Sequence, residues 1–479
     1  MSVSAKAINF FKLRSLYDLL LTLHPHASHS ESSLLLWDIV RETVECLIAR
    51  LESLDSANIV EADLIKRYGE IGDNLHFYLS FLEAGEANRI PSVMISPLQA
   101  MIRELAADAK VVVWCGWLPS NYSAGPNLGS RLRMLVTEVF DDAAHPTVGK
   151  IPSVLAVLSF PAAERDNMLL HSALGHELGH VLSVYNADIK VYTDSVPVTL
   201  DEEALRSIAK QIQEDGPDPG LNANLFVQST YDALKTEATR ILSNWLSELL
   251  ADAYSVYLLG PAPLLSLDYL AGIQGPSLTH PPSHLRFSIM LKCLDLSGFR
   301  KANDSELAWL TKKLTDIETV CSLNPQFDRP SSEIVYRCLK THLDTISTYI
   351  MCGILPATPG KPDMEPISRQ PYRYEDWRAT YLAVNSDTGT KSCLVDRMLN
   401  YVIPDCIDVP GRERMATLPS ILNAGWAVFY GHWERFCKGL GATDLRQQHE
   451  ARQKLFNLLL KGVEAVDLKR RWKRVDDDT

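Results

Sequence analysis

The chain has 479 residues, 47 basic and 59 acidic, and a formal net charge of −12, which argues against nucleic acid as the main partner because phosphate binding draws on clustered Lys and Arg. Apolar residues at 46% against 22% charged exclude a mostly disordered or fibrous chain, and the length suits roughly two to four packing units. No apolar run reaches the roughly 18 residues a spanning helix needs, and nine scattered cysteines without a Cys-x-x-Cys pair read as free thiols, so the expectation is a soluble, cytoplasmic globular protein with no transmembrane segment.

The amino terminus disperses Lys6, Lys12 and Arg14 among apolar residues and carries Asp18 inside its richest run. That pattern is an amphipathic helix, not a signal peptide. Leu34, Leu35, Ile39, Val44, Ile48 and Leu51 recur at helical spacing, and Ser96 followed by Pro97 is a cap and first-turn signal. The texture then changes. Val111–Trp117 is β-branched and aromatic, a loop rich in Pro, Asn and Gly follows over 119–129, and Arg131–Phe140 reads as a second strand. Ile151–Pro161, with prolines near or at its ends, is the third candidate strand. Helical signals return over His171–Val184 and Thr230–Leu259, parted by the breaker cluster Glu214–Gly220, and again over about 285–350. Five prolines from Pro356 to Pro371 mark an extended loop. The chain then ends in helix, its last basic run diluted by Asp476–Asp478. The expected class is mainly α with a small β-sheet. Its parts would be an N-terminal helical region (1–109), a core (110–300) and a C-terminal helical region (301–479).

The stretch that carries chemistry is His176-Glu177-Leu178-Gly179-His180. Residues four apart on a helix lie on one face about 6 Å apart along the axis, so two imidazoles can converge on one cation. Neutral imidazole is a favoured zinc ligand, and Glu177 is placed to reach water beside the ion. A shuffled chain of this composition shows the pattern about one time in fifty, so its surroundings matter. Leu170, Leu174, Leu178 and Leu182 give the helix a core-facing stripe. Gly175 and Gly179 weaken the helix by about 1 kcal/mol each, which makes sense if something must approach the backbone there.

A catalytic zinc needs a third protein ligand. Glu248 and Asp252 lie four apart in the otherwise apolar NWLSELLADAYS. Buried carboxylates there need a cation or hydrogen bonds, so Glu248 is assigned as ligand and Asp252 as acceptor for a ligand histidine's other N–H. Farther on, His280 precedes two prolines and Arg286 follows six positions later. Both are suitable donors to a developing oxyanion.

These three motifs, in this order, resemble the gluzincin metallopeptidases, and locally the CAAX prenyl protease and HtpX-type family. The resemblance spans roughly residues 167–292 and rests on HELGH, ELLAD and HPPSHLR. It implies one Zn²⁺ per chain on His176, His180 and Glu248, a general base at Glu177 and an orienting Asp252. His280 and Arg286 would stabilise the oxyanion or support the site. It also implies a zincin-like core in which a substrate strand adds beside Ile151–Phe160, touching Val154, Leu155, Ala156 and Val157. The family is typically embedded in membrane, and this chain departs from it there.

The expected function is zinc-dependent endopeptidase action on a protein or peptide substrate, fitting regulatory processing or a stress- or defence-triggered effector. A regulatory partner would act through the N- or C-terminal helices, and no nucleic acid is expected. Two alternatives stand beside it: a helical scaffold that no longer cleaves, and a zinc hydrolase for a non-peptide amide. The presence of Glu177 disfavours the scaffold, which needs no base.

Overall fold

Three long helices open the chain: α1 (Ala5–Ala27), α2 (Glu31–Ser53) and α3 (Ile59–Glu83), followed by the shorter α4 (Ile95–Arg103), α5 (Leu128–Phe140) and α6 (Pro146–Gly149). Ser30 caps α2, its Oγ accepting the Ser33 N–H at 3.0 Å. Leu36, Ile39, Val40, Val44, Leu47 and Leu51 then line its buried face, the helical period read from the sequence. The computed structural model describes residues 4–27, 30–55, 58–83, 94–103, 109–116, 122–125, 128–161, 164–185, 200–215, 223–271, 275–301, 308–323, 325–352, 371–381, 393–409 and 412–477. The breaker cluster beyond residue 215 and the proline-rich segment before Pro371 lie outside them. The architecture is mainly α with two small sheets.

The first sheet has the order β1 (Lys110–Gly116), β3 (Leu155–Pro161), β2 (Ser123–Gly125). β1 runs parallel to β3 with Val112 opposite Val157, and β2 runs antiparallel with Gly125 opposite the same valine. Two expectations fail here. Arg131–Phe140 is not a strand but most of α5 (Leu128–Phe140): Leu128, Leu132, Leu135, Val136 and Val139 are its buried residues, a 3.6-residue period. The second strand comes instead from the Gly-rich loop before it. The proposed substrate edge at Val154–Val157 is not an edge either. β3 is the central strand, all four residues are buried, and Val157 is paired on both sides. At Leu155, where β2 has ended, Gly129 of α5 packs so closely that an added Cβ would lie 3.1 Å from the Leu155 nitrogen.

The chain divides into two units, 1–166 and 167–479. The expected boundaries at 109/110 and 300/301 do not match this division: the three-stranded sheet belongs to the first unit and the motif helices to the second. Unit two contains α7 (Leu174–Tyr185), α8 (Glu202–Asp215), α9 (Ala223–Leu259), α10 (Ala262–Ala271), α11 (Ser283–Leu296), α12 (Ala308–Cys321) and α13 (Pro330–Cys352). Short α14 (Tyr374–Tyr381) and α15 (Leu394–Leu399) follow, then the hairpin β4 (Cys406–Val409)/β5 (Arg412–Met415), which the sequence reading does not anticipate. The chain closes with α16 (Leu418–Gly431), α17 (Trp433–Gly439) and α18 (Leu445–Asp477). Residues beyond 300 bond directly to the long helix α9: the Tyr372 N–H donates to Tyr257 O at 2.9 Å, and buried Asn423 Nδ2 to Leu259 O at 2.7 Å. Its own chemistry therefore makes the C-terminal region part of the same body as α9. Among the described residues, no helix is long and apolar enough to cross a membrane.

Candidate metal centre

The two motif helices, α7 and α9, meet at glycines. A Cβ built on Gly179 would lie 2.6 Å from the Ala251 Cα, and one on Gly175 would lie 2.7 Å from a Leu259 methyl. Only glycine permits such an approach, as the sequence reading expects. Leu170, Leu174 and Leu178 are buried and hold α7 and the turn before it against the core, while the Leu182 side chain lies outside the described residues.

This contact brings the predicted ligands together. The Nε2 atoms of His176 and His180 are 3.1 Å apart. Glu248 Oε2 lies 3.3 Å from His176 Nε2, and Oε1 lies 3.2 Å from His180 Nε2. An ion bound tetrahedrally at about 2.0–2.1 Å separates its donors by about 3.3–3.4 Å, so the spacing suits one small cation. Glu248 Oε2 is also buried and accepts no hydrogen bond from the described residues. An unpaired buried carboxylate oxygen is costly unless an ion takes its lone pair. His176, His180 and Glu248 thus form a group that could hold a metal ion.

Asp252 fixes the tautomer. Its Oδ1 sits 2.8 Å from His176 Nδ1, so Nδ1–H donates there and Nε2 presents its lone pair to the site. Arg286 grips the same carboxylate in bidentate fashion, Nε to Oδ2 and Nη2 to Oδ1, both at 2.8 Å. Burial would raise the Asp252 pKa, but Arg286 and His176 overcome it and hold the carboxylate ionised. Likewise, Glu248 is held well below the usual carboxylate range, its two histidines overriding burial. Burial also opposes charge on His176, yet Asp252 pushes its pKa up to about 10. Glu177 goes the other way. It is buried, and that burial raises its pKa in spite of the neighbouring histidines.

Of the two roles expected of Arg286, stabilising the oxyanion or supporting the site, its contacts fit the second. Its Nη2 is 4.0 Å from Glu248 Oε2 and 3.3 Å from His176 Nδ1, and its two short hydrogen bonds go to Asp252, so it supports the histidine from behind. His280 lies on the open side. Its side chain is 56% exposed against 1% for Asp252, with Nε2 3.7 Å from Glu248 Oε1. Thr279 Oγ1 holds its Nδ1 at 2.9 Å. His171 is fully buried. His284 is buried, its Nδ1 makes no hydrogen bond with the described residues, burial lowers its pKa, and it is not among the clustered donors.

The sequence reading misses the residues that hold the His280 loop. One turn before Glu248, Asn244 Nδ2 donates to Leu278 O at 3.1 Å and Trp245 Nε1 to Ser277 O at 2.9 Å. Ser247 Oγ lies 3.4 Å from His180 Nδ1. The signal was the row of polar residues Ser243, Asn244 and Ser247 in an apolar helix. No protein-family model, curated protein or solved structure matches the chain.

Proposed function

We propose that the protein is a zinc-dependent endopeptidase acting on a protein substrate, as the resemblance to the gluzincins implies. The observation that carries this reading is the convergence of two imidazoles and one carboxylate, within 3.1–3.3 Å of one another, beside the buried Glu177. Two histidines and a carboxylate are a donor set of catalytic zinc, which leaves room for solvent. When bound, zinc would polarise the scissile carbonyl and acidify water at the site.

The chain's own residues supply the rest. Glu177 takes a proton from the attacking water as its oxygen bonds the carbonyl carbon, then delivers it to the amine nitrogen as the C–N bond breaks. Burial raises its pKa, which makes it a stronger base toward the water's proton. In the tautomer where the Thr279 hydroxyl, 2.9 Å away, donates to Nδ1, His280 carries its proton on Nε2, 3.7 Å from Glu248 Oε1, where it would bond the carbonyl oxygen as charge develops. Asp252 and Arg286 keep His176 oriented.

The test compares wild type with Glu177→Gln on a denatured-protein peptide library. Wild type should cleave internal peptide bonds, and the variant should keep zinc and lose cleavage by several orders of magnitude. Equal cleavage by the variant would remove Glu177 as the base. Hydrolysis of small amides with no peptide cleaved would favour the amidohydrolase instead.

A further inference from the structure

Resting on the peptidase reading, we propose that a polar groove along α9, leading to Glu248, holds an extended substrate segment, and that Arg240 there selects a substrate carboxylate about three or four residues from the bond cut. The groove is shallow and open to solvent, about 610 Å³ in volume, along the α9 face formed by Thr236, Thr239, Arg240, Ser243 and Asn244 together with Asp232 and Lys235. Its Asn244 end reaches the loop of His280, where Asn244 Nδ2 donates to the carbonyl of Leu278, two residues before His280.

The charges of the groove single out one residue. Lys235 is paired with Glu202 at 2.6 Å, and Asp232 accepts from Gln228 at 2.9 Å. Glu237, the carboxylate near Arg240, is already taken by Arg329 at 2.5 Å and Ser331 at 2.6 Å. Arg240 is exposed, and what holds it among the described residues is a charge attraction to Glu237, whose oxygens are already bonded to Arg329 and Ser331. It is therefore the cation left to meet a ligand. Thr236 and Thr239 hydroxyls donate to the Asp232 and Lys235 carbonyls, so their lone pairs remain to accept substrate N–H groups. Eight residues of helix separate Arg240 from Glu248, about 12 Å at 1.5 Å per residue. An extended peptide covers that in about three or four residues.

The experiment uses quenched peptides carrying Glu, Gln or Lys at each of five positions either side of a common cleavage bond. Wild type should cleave the peptide with Glu at the third or fourth position about tenfold better in kcat/KM than its Lys counterpart, and Arg240→Glu should reverse the order. Binding of the same peptides to Glu177→Gln, read by fluorescence anisotropy, should give the same ranking without turnover, with zinc content equal in all variants. Unchanged ranking in Arg240→Glu with cleavage intact would overturn the assignment and leave the peptidase reading standing. If zinc-loaded wild type cleaves no peptide and Glu177→Gln binds none, both fall.

Discussion

Gly179 lies against Ala251 so closely that a Cβ on the glycine would sit 2.6 Å from the Ala251 Cα and 2.8 Å from its carbonyl oxygen. The obstacle is backbone, so it cannot swing aside. Because His180 follows the glycine and Ala251 lies between Glu248 and Asp252, forcing the helices apart pulls the donors apart. Gly179→Ala should therefore destabilise the protein by about 1–3 kcal/mol, although alanine is the better helix former by about 1 kcal/mol. Zinc affinity should fall at least about tenfold. Gly175→Ala meets a movable Leu259 methyl at 2.7 Å and backbone, the Ser255 Cα, only at 3.6 Å, and should do less. Thermal unfolding and chelator competition measure both, and a stabilised Gly179→Ala with unaltered affinity would deny the close approach a role.

Asp252→Asn tests the support behind His176. An amide can no longer accept from both Arg286 and Nδ1–H as an ionised carboxylate does, and Arg286 is left buried with its charge unmatched. Zinc affinity should drop about 10- to 100-fold. Arg286→Lys should also weaken it, because an ammonium cannot span both oxygens. Competition titration with a chromogenic chelator separates the variants, and wild-type affinity in Asp252→Asn would count against the orientation argument.

Acid–base behaviour follows from the same contact. His176 is raised to about 10 from an ordinary value of about 6.5. In chelator-stripped protein the protonated ring contributes stability that is complete below about 6.5 and lost as pH rises through about 10. An incoming ion must displace that proton. Zinc uptake by stripped protein at pH 7.5 should release about one proton per site, and its apparent affinity should rise about tenfold per pH unit in this window. Calorimetry in two buffers of different ionisation enthalpy counts the proton, and none released would contradict the pairing of His176 with Asp252.

Asn244→Ala removes the bond to Leu278 O without touching a ligand. With the loop of His280 loosened, kcat should fall about tenfold while zinc content and Tm change little. A larger loss of zinc than of kcat would show that Asn244 acts through Glu248 instead.

The candidate metal-holding group was legible because helix geometry alone carries residues four apart to one face, and because Glu248 and Asp252 are polar where the pattern demands apolar residues. The two glycines announced the close approach for the same reason. What stayed hidden depends on tertiary context. Which of its two expected roles Arg286 takes is set by the packing of α11 against α9, which turns its guanidinium to Asp252. Arg131–Phe140 mixes β-branched residues with a helical period, and the period won once Leu132, Leu135, Val136 and Val139 found one core. β2 and the β4–β5 hairpin have three and four residues per strand, too few for a local signature, and form only through their partners. Val154–Val157 looked like an accessible strand because sequence cannot say which strand is central.

The most direct test of the account is metal content of purified protein, measured by mass spectrometry for wild type, Glu177→Gln, His180→Ala and Glu248→Ala. About one zinc per chain in the first two and little in the last two is the predicted result. Full zinc occupancy in Glu248→Ala would contradict the proposed centre.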